Sequence, residues 1–509
     1  MAAARRRLLA AALLGLGAGE EAPVGCAAGQ ACRLPGYAWS TKNGDARQSG
    51  ASPYAAPWEL SASRAWGWRN PFHVHMSMPI GTPLIDDELN IYAHDLGGWI
   101  HKFTASGGLL WSYGTQGTSH HQPALWNGSL FGTADPGSVF RVDMRTGQEL
   151  WRARVGAGFG GDGSSVLAHD GLVITPTVPY SADPWQNRDL VALSAADGRE
   201  VWRFRTQGPM YNTMPCTARN RLIFADGWGG VYCLDFATGS LLWTNFNFYR
   251  ANTFTTGNAM LGANDVFYTA SNFVGGTDFQ PTLGSLHACN LSDGATLWSR
   301  EFTEAVQAAP AVGSLGPGQG LSVVLGIGEN TGLPPLVTSF PAYVPPAVKR
   351  ALNRLSIRLG AWARFLWWRR PWHGHRIHVQ AFDAASGRPR WRFDAPTWWR
   401  PTCAGDEERL ESVWAGLSIP GGSREICTCD AWSNPSIGSD GTVYIGSAHG
   451  MLYALRDANG DGVVSGKAEV QEVDTGAALI MPPSIGPGIL AAVTCNEVIV
   501  FRSGVQRGL

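Results

Sequence analysis

The chain has 509 residues, 44% hydrophobic and 16% charged, with a formal net charge of −1. That balance excludes an extended disordered chain and offers no global charge to draw nucleic acid. Nine Cys in this length do not make a disulfide scaffold, while 64 Gly and 22 Trp point to many short strands and tight turns.

Arg5, Arg6 and Arg7 open the chain, followed by an apolar run from Leu8 and small residues up to Ala18. This is the layout of a secretory signal over residues 1–18, with an apolar core too short to span a bilayer. An organelle transit peptide is the alternative. The expected location is therefore outside the cell or in the secretory lumen, or else in an organelle lumen, with residues 19–36 as a linker. In an oxidising lumen Cys26 and Cys32 could pair, as could members of the cluster Cys403, Cys427 and Cys429. Cys216, Cys233, Cys289 and Cys495 sit in strand-like runs and read as buried apolar residues. Asn127-Gly-Ser and Asn290-Leu-Ser fit the glycosylation sequon.

A Trp-bearing segment, Trp39-Ser-Thr-Lys-Asn-Gly-Asp-Ala-Arg-Gln-Ser-Gly-Ala-Ser-Pro53, comes next without a complete hairpin set directly behind it. From there one unit recurs: a small polar residue, a Gly, and a Trp four places beyond that Gly. The Gly/Trp pairs are Gly107/Trp111, Gly147/Trp151, Gly198/Trp202, Gly239/Trp243, Gly294/Trp298 and Gly387/Trp391. Gly supplies the positive φ of a tight turn, and the polar residue before it can bond the turn backbone. A Trp on the closing strand can wedge between neighbouring sheets while its indole N–H finds a carbonyl. Such a unit cannot cover both of its faces alone, so copies must stack.

The fullest copy, Val231-Tyr-Cys-Leu-Asp-Phe-Ala-Thr-Gly-Ser-Leu-Leu-Trp243, resembles the pyrroloquinoline-quinone (PQQ)-type repeat of the quinoprotein-like β-propellers. That superfamily includes the bacterial quinoprotein alcohol dehydrogenases and the propeller lipoprotein of the outer-membrane barrel-assembly machinery, and the non-catalytic propeller type is the nearer in character. The resemblance covers residues 37–503, including the Trp39 segment, which is similar to the family's opening segment. It implies an all-β ring of four-stranded antiparallel blades. Counting gives eight blades, with seven as the alternative if the ends pair differently. Five end on Trp111, Trp151, Trp202, Trp243 and Trp298, and the sixth spans about residues 307–393. The seventh spans 432–475, and the eighth joins 481–502 to the Trp39 segment, so that an amino-terminal strand closes the ring. Residues 504–509 are a tail.

Two places break the pattern. An insertion over residues 341–376 interrupts blade six, and its part 345–372 carries seven basic residues and no acid. Val348, Leu352, Leu355, Leu359, Trp362 and Leu366 recur at intervals of three and four, which predicts a basic amphipathic helix for an anionic membrane surface or a protein partner. The bland alternative is a helix that caps the propeller. In blade seven the turn becomes Asp457-Ala-Asn-Gly-Asp-Gly-Val-Val-Ser-Gly-Lys-Ala-Glu469. Asp457, Asn459, Asp461, Val463 and Ser465 match calcium-loop positions, with Glu469 one place late, which predicts a weak calcium site. A plain polar hairpin is the alternative. The His pairs His73/His75, His120/His121 and His373/His375 read as loop or rim residues.

Two functions follow from different classes. One is a non-catalytic monomeric propeller that binds or scaffolds a protein, with no nucleic-acid role. The alternative is a quinone-dependent alcohol or sugar dehydrogenase. For that enzyme the resemblance implies an adjacent Cys-Cys disulfide over the cofactor, a stacking Trp, and Glu, Asn and Asp ligands to calcium. No two Cys are adjacent here, so no catalytic or quinone-binding residue carries over and no bound quinone is expected. A glycan-binding propeller using Trp398 and Trp399 is a third possibility.

Overall fold

The computed structural model describes residues 33–70, 81–119, 121–159, 164–178, 187–248, 259–274, 281–306, 308–328, 376–399, 403–406, 427 and 430–504. The signal-like segment, the Cys26–Cys32 region, the insert 345–372 and the tail beyond 504 lie outside them. Eight antiparallel sheets of four strands each make up the molecule, which settles the blade count at eight. In the first seven blades the strands pair in chain order from a buried inner strand to a half-exposed outer one. The middle strands are buried along their length: Val231–Asp235 is covered on both faces, as an interior position in a stack of sheets requires.

The turn Gly and the Trp of the repeat meet, but across blades. A Cβ on Gly239 would lie 2.6 Å from the ring of Trp202, one blade earlier, and the φ of +70° at Gly239 favours glycine for a second reason. Trp111 sits on Gly147, Trp151 on Gly198, Trp243 on Gly294 and Trp298 on Gly387 in the same way. Each indole N–H donates to a carbonyl of the next blade; Trp202 reaches Phe236 at 3.1 Å and Trp298 reaches Ala384 at 3.0 Å. These five Trp thus fasten blades one to five each to its successor, whereas Trp391 of blade six packs in a core with Tyr453 and Val464 of blade seven.

An amino-terminal strand does close the last blade, and it is Arg64–Trp68. This strand pairs antiparallel with Val498–Arg502, beyond Ile489–Val493 and Ser484–Gly486. Trp66 on it docks on Gly107 of blade one and donates to Ala105 at 3.0 Å, so the Trp chain crosses the closure. Blade seven has no outer-strand Trp. Residues 54–63 cover that interface instead: Tyr444 donates to the carbonyl of Ala56, and the Arg456 guanidinium lies 3.8 Å over the Trp58 ring.

The Trp39 segment therefore does not serve as the closing strand expected of it. It runs inside the ring. Trp39 pairs with Ile85 of blade one, and the Ser40 carbonyl accepts from Leu125 of blade two. Thr41 donates to Val166 of blade three. The carbonyls of Ala46, Arg47, Ser49 and Gly50 accept from Thr217, Leu261, Val312 and Ile437 of blades four to seven. Ser52 donates to Ile485 of blade eight. Residues 39–52 thus touch all eight inner strands in order, and they satisfy backbone groups that an open channel would leave bare.

Candidate functional site

In a propeller the axis is the natural place for a bound group, and here it holds a buried polar hub. Gln48 is wholly buried, and its Oε1 accepts the Asn43 N–H at 3.0 Å. Asn43 Oδ1 accepts from Asn434 Nδ2 at 3.0 Å, and Asn434 Oδ1 accepts the Ala309 N–H at 2.7 Å. Burial pushes the Asp45 carboxyl upward in pKa, while Ser49 donates to it from both backbone and hydroxyl. Arg47 turns outward from the hub to the carbonyl of Gly262 at 3.0 Å. Around this hub the inner-strand approaches bond to one another: Gln122 bridges both backbone groups of Thr82, and Ser165 donates to Thr213. His121, from one of the His pairs, is buried with Nδ1 3.0 Å from Thr175 Oγ1. Its neighbour His120 and the pairs His73/His75 and His373/His375 fall outside the described residues.

Sequence reasoning missed Asn43, Asp45, Gln48 and Asn434 as a set. The available signal was the density of small polar residues between Thr41 and Ser52, more than any single closing strand needs.

The blade-seven loop is ordered by its own side chains. Glu469 accepts the N–H groups of Ala458, Asn459 and Ser465. Asp457 accepts from Gly460 and Gly462, Asn459 Oδ1 accepts the Asp461 N–H, and Asp461 accepts from Val463 and the Asn459 amide. Among the described residues no group of three or more His, Cys, Asp or Glu is arranged to hold a metal ion.

Cys495 is not a free thiol. It forms a disulfide with Cys427, Cα to Cα 6.3 Å, tying the long connection after blade six to blade eight. Cys403 is disulfide-bonded as well. Cys216, Cys233 and Cys289 are free and buried, as their strand positions predict, and burial raises all three thiols.

The family described as outer membrane protein assembly factor BamB matches residues 65–178, 96–244 and 135–315. The chain is a PQQ-repeat β-propeller. BamB from Moraxella catarrhalis superposes with a TM-score of 0.52 at 15% identity, covering 88% of this chain and 99% of that one. The quinohemoprotein alcohol dehydrogenase of Comamonas testosteroni gives 0.59 at 13% identity, covering 94% and 82%. A europium-containing methanol dehydrogenase gives 0.57 at 12% identity, covering 93% and 99%. At these identities the likeness is one of fold. A tetrathionate hydrolase of Acidithiobacillus ferrooxidans is 26% identical over 137 residues, a stretch that spans 24% of this chain and 27% of that protein's length.

A quinone on the axis of this PQQ-repeat propeller would need room and a donor set. The inner strands are bridged by residues 39–52, and the side chains of that segment are spent on one another and on the blades. No adjacent Cys pair exists to lie over a cofactor ring. The described residues do not fit the group.

Proposed function

We propose that the protein is a non-catalytic, monomeric binding or scaffolding propeller that works in an oxidising compartment. The observation that carries this reading is the filled axis: residues 39–52 bond to every blade and leave the ring's faces and rim as its working surfaces. The disulfide between Cys427 and Cys495 supports a luminal or extracellular setting, in line with the signal-like residues 1–18. The basic insert 345–372 is the proposed contact for an anionic membrane or an acidic partner. Cosedimentation with anionic vesicles, lost when the insert is replaced by Gly-Ser, is the outcome expected of a membrane contact; equal pelleting of both proteins removes it.

The test of the non-catalytic reading is direct. Purified protein is incubated with PQQ and calcium, desalted, and read by absorbance and by dye-linked oxidation of primary alcohols. The expected result is neither retained quinone nor turnover. Stoichiometric quinone with alcohol-dependent dye reduction would make the chain an oxidoreductase and overturn the reading.

A further inference from the structure

Away from the axis, blades six and seven part into a cleft of about 380 Å3. One side is the sheet of blade seven. In its pairing of Met451–Leu455 with Val470–Asp474, Tyr453 stands opposite Glu472 and Met451 opposite Asp474. Side chains directly opposite on an antiparallel pair project from the same face, so a phenol ring, a thioether and two carboxylates share one patch. The other side is the chain leaving blade six, where the Trp398 indole lies parallel to the His449 imidazole with ring centroids 5.0 Å apart and planes 7° apart. Glu472 and Asp474 are exposed, and among the described residues that line the cleft there is no Lys or Arg.

This chemistry selects a cation with a flat body. A guanidinium can stack on an indole while its N–H fork engages a carboxylate, and an ammonium does the second more readily than the first. A neutral sugar would use the aromatic wall and leave the paired negative charge without a counterpart. We propose that the cleft is a docking site for an arginine side chain presented by a partner protein. The proposal rests on the binding-module reading above. The two fail separately, since quinone turnover overturns that reading while the cleft's affinity is measured without any cofactor.

The probe is a blocked peptide, acetyl-Gly-Arg-Gly-amide, titrated into the intact protein and followed by calorimetry and Trp fluorescence. The control is the same peptide with citrulline, which keeps the shape and removes the charge. The arginine peptide is expected to bind at least tenfold tighter than the citrulline peptide. The double substitution Glu472→Gln, Asp474→Asn, at exposed positions, is expected to weaken it tenfold or more, and Trp398→Ala to remove the fluorescence change. Equal binding of the two peptides, or unchanged binding by the double variant, overturns the assignment. Tighter binding of maltose than of the arginine peptide also overturns it. Arginine-peptide binding that appears only after Gly-Ser replacement of 345–372 would give the cleft to this chain's own arginines, and the partner assignment would fall.

Discussion

Gln48→Ala probes the hub at its most connected side chain. Gln48 Oε1 accepts the Asn43 N–H at 3.0 Å, and its amide reaches Thr41, Ser165 and Pro215 at 3.3, 3.4 and 3.4 Å. Truncation leaves the Asn43 amide without its acceptor in a place closed to water, which costs about 1–3 kcal/mol. The space vacated by the side chain adds about 1 kcal/mol. The three longer contacts add little, since hydrogen bonds weaken toward that distance. The total is roughly 2–4 kcal/mol. Unfolding entropy for a chain of this size is about 1 kcal/mol per kelvin if the ring melts as one unit, so Tm should fall by roughly 2–4 °C. Leu110→Ser on the half-exposed outer strand is the control, expected to change stability by less than about 0.5 kcal/mol. Scanning calorimetry reads both. A Gln48→Ala transition within about 0.5 °C of wild type would refute the claim that residues 39–52 bear on the stability of the ring.

Trp202→Ala should cost about 3–5 kcal/mol, because it empties a buried dock on Gly239 and strands the Phe236 carbonyl; a loss below about 1 kcal/mol in chemical denaturation would show that blades are not fastened this way. Burial lowers the imidazoles of His101, His287 and His378 to about 4, 3 and 4, against an unfolded value near 6.5. The unfolded chain then binds the extra protons, so this contribution is full above about pH 6.5 and is lost as pH falls toward 4. Burial raises Asp95 to about 6, which acts in the opposite sense between about pH 4 and 6. Asp45 and Asp226, also raised by burial, act with Asp95, so the imidazoles are read by difference. His287→Gln should reduce the loss of stability between pH 6.5 and 4 by about one proton's worth, and an unchanged pH dependence of Tm would contradict the assignment. Millimolar calcium should raise the Tm of wild type and leave Asp461→Ala unmoved if the blade-seven loop binds the ion, and an equal response from both proteins makes it a plain turn.

The repeat was legible because its parts are local: the polar residue, the Gly and the Trp lie within six positions, and their chemistry survives in each copy. What the Trp docks against was not, since Trp202 meets a Gly 37 positions later, in the next blade. The closing strand left a trace that could have been followed. Gly107 needs a Trp from the preceding blade, and Trp66 and Trp68, two apart, supply a strand with one in the right place. The hub left no periodic trace at all. Its bonds join residues as distant as Asn43 and Asn434, and a segment that satisfies eight different strands in succession has no reason to alternate. Cys495 was misjudged for a related reason: a buried strand end and a disulfide half-cystine look alike until Cys427 is brought beside it.

The chain itself fills the axis, and amide hydrogen exchange on residues 39–52 tests this most directly. The N–H groups of Trp39, Asn43, Gln48 and Gly50 are bonded inside the ring, so they should exchange as slowly as the inner-strand amides of Leu125, Leu261 and Val312. Added PQQ with calcium should leave those rates unchanged. Exchange on the timescale of exposed turns, or strong slowing of these amides by the quinone, would show an axis that opens to a cofactor and would contradict the account.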